Sequence, residues 1–246
     1  MMSIYKYMPV FTPDKEVNLL KYIFEDKTLR FSSPLIFNDP FELRPHIKKM
    51  VSTDNNIVHK LVFSHLNTTK QAHKFHDTTV TKLSNDIGIL CLSGIKDHLV
   101  MWGNYADNHK GIVIEFDKEH SFFSPDCKRL NFIHQLKKVV YLEQKISMNS
   151  DEWEENERTF LAKSKHWEFE EEYRMTVLLE ENDRNPNRFN LEFPSNLIKS
   201  VYIGCKAKNE TIEYIKNLKV QEQWKHLNIY NMMIDEREYK LNPIKL

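Results

Sequence analysis

Glycine is scarce: five in 246 residues (Gly88, Gly94, Gly103, Gly111 and Gly204). No two of them have the spacing of a dinucleotide fingerprint. There is no GxxxxGK[ST] loop to cradle phosphates and no GxSxG elbow. A Rossmann enzyme and a P-loop ATPase are thereby excluded. Cysteine is equally sparse, with Cys91, Cys127 and Cys205 far apart and no CxxC; they read as reduced thiols of a cytoplasmic protein. Neither sign of charge dominates, since 35 Lys+Arg balance 35 Asp+Glu. No global field therefore draws the chain to nucleic acid or an anionic membrane. No apolar run approaches the ~20 residues of a membrane span, and the start Met-Met-Ser-Ile-Tyr-Lys-Tyr has no apolar signal region.

What the chain has is a hydrophobic content of 41% and an aromatic content of 12%, enough to build a core. The patterning predicts short strands mixed with helices. Strands are expected over 4–7, 29–31, 87–92, 111–117, 138–142, 188–193, 198–203 and 228–234, each with β-suited residues bounded by turn formers. A first helix is expected to start with Thr12 as N-cap and Pro13 behind it and to run to about Glu25, with Val17, Leu20, Ile23 and Phe24 as its stripe. Further helices are expected over 97–106, 151–166 and 209–218. Residues 54 to 85 read as helical, polar and histidine-rich, forming a helical insertion at about 48–86. His59, His65, His73 and His76 there lack a carboxylate at ligand spacing, so no metal site is expected. Without regular βαβ alternation, the fold class is α+β, a single domain around a mixed, largely antiparallel sheet.

Two stretches stand out chemically. Ser32 to Glu42 contains Pro34 and Pro40, which bar regular helix and central strand. Yet Leu35, Ile36, Phe37 and Phe41 make it too apolar for a solvated linker. It is a stiffened loop tucked against the body, carrying Ser32, Ser33, Asn38, Asp39 and Glu42. The second is Lys163 to Val177. Lys163 and Trp167, four apart, would share a helix face. If a strand begins at Glu170, then Glu170, Glu172 and Arg174 point to one side of it. In between, Met101, Trp102, Tyr105 and Ala106 fall on one face of the expected helix.

Together these pieces resemble a widespread bacterial domain-of-unknown-function family, found near defence genes among other places. The residues carrying the resemblance are Tyr5-Lys6-Tyr7, Phe37-Asn38-Asp39-Pro40-Phe41-Glu42, Ser93, Met101-Trp102-x-x-Tyr105-Ala106 and Lys163-x-x-x-Trp167-x-x-Glu170-x-Glu172-Tyr173-Arg174. More distantly, a serine after a strand, an aromatic a dozen residues on and a late Glu-x-Glu entering a β run are similar to mono-ADP-ribosyltransferases. That likeness implies a split sheet and NAD as co-substrate. It makes Glu172 the catalytic acid and Glu170 its partner, and has Ser93 or Ser32 support the nicotinamide ribose while Tyr105 or Trp102 stacks. Lys6 stands where that superfamily usually has His or Arg. Arg174 either locks the acids or holds a pyrophosphate. Tyr5, Tyr7, Ser33, Asn38, Asp39, Glu42 and Trp167 complete the implied binding wall.

The chemistry wants such groups. Breaking the nicotinamide–ribose bond creates an oxocarbenium-like centre, which a carboxylate stabilises, and a cationic pyridinium suits an aromatic face. The acceptor of the ADP-ribose stays open between nucleic acid, protein and small molecule, in a setting of anti-phage defence or toxicity. Two other readings compete. One is a non-enzymatic ligand- or partner-sensing module with an aromatic and acidic pocket. The other is a hydrolase or nuclease using Asp39, Glu42 and Glu170 around a divalent cation.

Overall fold

The computed structural model describes residues 2–49, 77–78, 87–123, 135–149, 157–178 and 189–246. Alternation of side chains builds the strands. In β1 (Ser3–Met8), Ile4 and Met8 face the larger core while Tyr5 and Tyr7 face the other side. The same division recurs in β5 (Ile112–Asp117) and β12 (Ile198–Ile203), while β4 (Ile87–Ser93) and β10 (Glu172–Leu178) send Leu90, Leu92, Met175 and Val177 to the larger core. With β6 (Lys137–Lys138), β13 (Asn228–Ile234) and β14 (Leu241–Lys245) these form an eight-stranded sheet, in the order β14-β13-β12-β5-β1-β4-β10-β6. All its registered pairs are antiparallel except β12 with β13. The fold is α+β, and strands from both ends of the chain share one sheet.

On the larger-core face lie α1 (Leu19–Phe24), which buries Leu20, Ile23 and Phe24, and β2 (Thr28–Phe31), which pairs with β11 (Phe189–Glu192). The opposite face carries α2 (Leu99–Tyr105), whose Met101 and Trp102 pack on Tyr7, Val113 and Tyr202. Small pairs complete the molecule: β3 (His46–Lys49) with β8 (Ser147–Asn149), and β7 (Val140–Leu142) with β9 (Ala162–Ser164), which follows α3 (Glu157–Leu161). The asparagine-rich α4 (Asn209–Asn217) lies between β12 and β13 in sequence.

One interruption in the sheet positions everything that follows. Strands β1 and β4 meet in a single registered pair, Tyr5 with Ser93. Further along β4, Ile89 exchanges both backbone hydrogen bonds with Ser32 (2.8 and 2.9 Å) instead of with β1. Among the described residues, Lys6 to Met8 thus have no registered partner on the β4 side, and the sheet opens there.

Several expectations are corrected. Thr12 does not cap a helix: Lys15 adopts a left-handed φ of 63° that a helix cannot carry, and Thr12 instead accepts from the Val17 amide. The true N-cap is Asn18, whose side chain accepts from Leu20 N (3.0 Å). The charged helix is α3 alone within 157–166, because the chain turns to strand at Ala162; its expected start at 151–156 lies outside the described residues. Lys163 therefore sits on a strand, and a 3-10 helix spans Lys165–Glu170. The strand expected at 138–142 is two, β6 and β7, because Val139 is buried between them and the chain changes partner. Strands β3, β8 and β14 were not anticipated; β3 takes the first residues of the expected insertion, and the rest of it, with its histidines, lies outside the described residues apart from helical Asp77 and Thr78.

Candidate active site

The opening between β1 and β4 continues into a cavity of about 280 Å³, closed on one side by the proline-stiffened loop and on another by α2 and β10. The loop is shaped by its own polar side chains. Ser33 accepts from Leu35 N (3.3 Å) to cap a 3-10 turn at Pro34–Ile36, and Asp39 accepts from Phe41 N (2.8 Å). These bonds turn Glu42 inward, where it is 8% exposed.

Glu42 meets Arg174 from across the cavity floor. Arg174 is 1% exposed, and all five of its N–H donors are used. Nε and one Nη2 hydrogen reach the two Glu172 oxygens (2.8 and 2.9 Å), a bond from each Nη reaches Glu42 (2.7 and 3.0 Å), and Nη1 also reaches the Phe160 carbonyl (2.8 Å). Beside it, the Lys163 ammonium lies among three carboxylates: bonded to Glu170, 3.0 Å from Glu172 and 3.6 Å from Glu42. The ammonium also sits 5.1 Å from the Trp167 ring centroid.

Glu170 is not on β10. It ends the 3-10 helix, and Glu171 then takes a left-handed conformation (φ 44°, ψ 48°) that resets the chain before the strand starts at Glu172. Two bonds from the turn after β4 hold this corner: the Ser93 hydroxyl donates to the Glu170 carbonyl (2.6 Å), and Gly94 N donates to the Glu171 carbonyl (2.9 Å). The Glu170 carboxylate receives the Tyr105 hydroxyl (2.6 Å), which Asn38 also hydrogen-bonds. The corner thus brings Glu170 and Glu172 onto the same lysine by a route other than shared strand parity.

Three carboxylates against two cations leave one negative charge, and the titration directions show where it is felt. Burial alone would raise Glu172, but Arg174 and then Lys163 outweigh it and bring its carboxyl down to about 2. Burial depresses Lys163, yet Glu172, Glu170 and Glu42 together raise it above its ordinary value. For Glu170 burial wins: its carboxyl is raised despite Lys163 and Tyr105. The destabilised charge is thus on Glu170.

Of the residues singled out from sequence, Tyr5, Lys6, Tyr7, Ser32, Asn38, Asp39, Glu42, Ser93, Tyr105, Trp167, Glu170, Glu172 and Arg174 all line this one cavity. Trp102 and Ser33 do not. Trp102 is fully buried behind Tyr7, ring edge to face at 5.6 Å, and its Nε1 donates to the Lys96 carbonyl; it cannot stack on a ligand. Ser33 is the cap already described. Tyr7 donates to the Ile95 carbonyl (3.0 Å), which fixes its ring on the wall. Lys6 lines the opening with no carboxylate in ion-pair reach among the described residues; burial lowers its amine.

Sequence reasoning missed the centre of the site, Lys163, though it stood in the motif four residues before Trp167. It also missed Cys91 on the wall and Tyr141, whose hydroxyl oxygen accepts from Glu172 N (2.7 Å); no pattern marks either. A divalent cation held by Asp39, Glu42 and Glu170 does not fit, because the Lys163 ammonium already lies between Glu42 and Glu170 and would repel it, and Asp39 serves its loop. Among the described residues no group of three His, Cys, Asp or Glu is arranged to hold a metal, and no helix is long and apolar enough to cross a membrane.

No curated protein and no solved structure matches the chain. Residues 101–175, which span Tyr105, Lys163, Glu170, Glu172 and Arg174 but neither β1 nor the proline-stiffened loop, match the model of an uncharacterised family described as Protein of unknown function (DUF2971).

Proposed function

We propose that the cavity is the active site of an NAD-dependent ADP-ribosyltransferase-like enzyme. One observation carries the reading: a carboxylate with spare hydrogen-bonding capacity and a raised pKa faces an aromatic-walled opening in the sheet. The two acids differ in what they have left to offer. A carboxylate has about four lone-pair sites. Those of Glu172 take Arg174 twice, Lys163 and the Cys91 thiol. Those of Glu170 take only Tyr105 and Lys163. Glu170 therefore has the sites to receive a ribose hydroxyl and to stabilise the oxocarbenium-like centre as nicotinamide departs, and Glu172 positions Lys163 beside it. Tyr7, Tyr105 and Trp167 supply faces for the pyridinium. Lys6, on the cavity wall, offers its amine to the phosphates. The interrupted β1–β4 ladder supports this reading, because the resemblance implies a split sheet. A cytoplasmic, reducing location and a role in defence or toxicity belong to the same proposal.

The test is nicotinamide release from NAD, followed by chromatography. Wild type is expected to release it, and Glu170→Gln to slow release by on the order of 10²–10³. Absence of both release and label transfer to any component of a cell extract would sink the reading. The filling of every Glu172 site by Arg174, Lys163 and Cys91 favours a second reading, a ligand-sensing pocket without turnover. It predicts saturable NAD or nucleotide binding, with Glu170→Gln changing affinity alone.

A further inference from the structure

Asp39, Glu42 and Lys163 form a partition with a cavity on each side. The second cavity, also of about 280 Å³, is bounded by the segment Phe41 to Pro45, by 142–146 and by residues around β9. Its floor is apolar, with Leu43 3% exposed. Its rim is not what a structural hollow needs. Phe41, a large aromatic, is left 63% exposed at the edge. The Lys145 ammonium lies 5.2 Å from that ring's centroid. Lys145 has no carboxylate in ion-pair reach among the described residues; burial and the neighbouring Arg44 destabilise its charge, and Asp39 opposes them in part. Arg44 pairs with Asp77 (2.8 Å), an exposed contact that an incoming anion displaces at little cost. An exposed ring beside two adjacent cations, over an apolar pocket, is the combination that stacks a base and holds its phosphate.

We propose that this second cavity is the acceptor site and that the acceptor is a nucleotide of a single-stranded nucleic acid, its base against Phe41 and its phosphate between Lys145 and Arg44. The chemistry rests on the NAD reading above. The C1–nitrogen bond to nicotinamide breaks and its electron pair stays on the pyridine nitrogen, removing that ring's positive charge. A base nitrogen or hydroxyl oxygen of the acceptor bonds to C1, and its proton passes to the Glu170 carboxylate. Lys163 and Glu42 line both cavities, and the transfer requires the acceptor atom to reach past this shared wall to C1.

Binding is tested without NAD, so that its failure and the failure of the NAD reading are distinguishable. A fluorescent single strand of about ten nucleotides is titrated with the full chain and followed by anisotropy. Lys145→Ala and Phe41→Ala are each expected to weaken binding roughly tenfold, and Lys225→Ala, on a remote exposed turn, to leave it unchanged. With about two phosphate contacts, log K against log salt should have a slope near −1.4, shallower by about 0.7 in Lys145→Ala. Thermal unfolding of the variants verifies that the fold is intact. An unlabelled mononucleotide that competes as well as the strand would make the acceptor a free nucleotide and uphold the class. Wild type binding neither ligand, or binding that both substitutions leave untouched, overturns the proposal.

Discussion

Arg174 is the residue on which most of the site depends. Its fork satisfies two carboxylates bidentately, and a lysine ammonium cannot copy a planar fork. Arg174→Lys leaves Glu42 or Glu172 buried with open lone pairs. It is expected to lower unfolding free energy by about 3–5 kcal/mol in urea titration. The neighbouring acids make opposite contributions to the pH dependence. Glu172, held near 2 against an ordinary 4.5, stabilises the fold above about 4.5 and loses that contribution as pH falls toward 2; the loss is on the order of 3 kcal/mol. Glu170 is raised, so the folded chain takes up its proton first, and stability increases as pH falls from neutral through its folded value toward 4.5. Urea unfolding across pH should therefore show a maximum on the acid side of neutrality and a steep fall below it. Glu170→Gln should remove the rise and keep the fall.

At the scale of elements, the turn after α2 is built for close approach. Asp107, Asn108 and His109 all have positive φ (46°, 53° and 69°), and the chain then passes β1 and β12 at two glycines. A Cβ on Gly111 would stand 2.3 Å from the Met8 carbonyl oxygen, and one on Gly204 2.1 Å from that of His109. Both obstacles are backbone and cannot swing away. Gly204→Ala is expected to cost about 2 kcal/mol or more in chemical unfolding and, by shifting α2, to slow any Tyr105-dependent activity. This scale also decides what was legible. Alternating apolar residues made β1, β5 and β12 readable, and Asn38-Asp39 announced a turn. The corner at Glu170 was not readable, since nothing in Glu-Glu-Glu says that the middle residue turns left-handed. Lys163 was hidden for a related reason: a three-residue strand carries too little periodicity to be separated from the helix before it. Strand β14 carries Pro243, which its edge position accommodates.

For the whole molecule, convergence of segments distant in sequence was the expectation that mattered, and thirteen of the singled-out side chains do border one hollow. What the sequence left out was how the gap arises, because an interrupted ladder is a property of two strands and a third segment, not of any local pattern. The arrangement of that ladder has a consequence for biosynthesis. Strand β1 is made before its sheet neighbours at 87–93 and 112–117, and the acids of β10 follow later still. Pairings of such long range form slowly. A nascent chain arrested before Glu172 holds the tyrosines without their carboxylates, so the cavity is not assembled until β10 has been made.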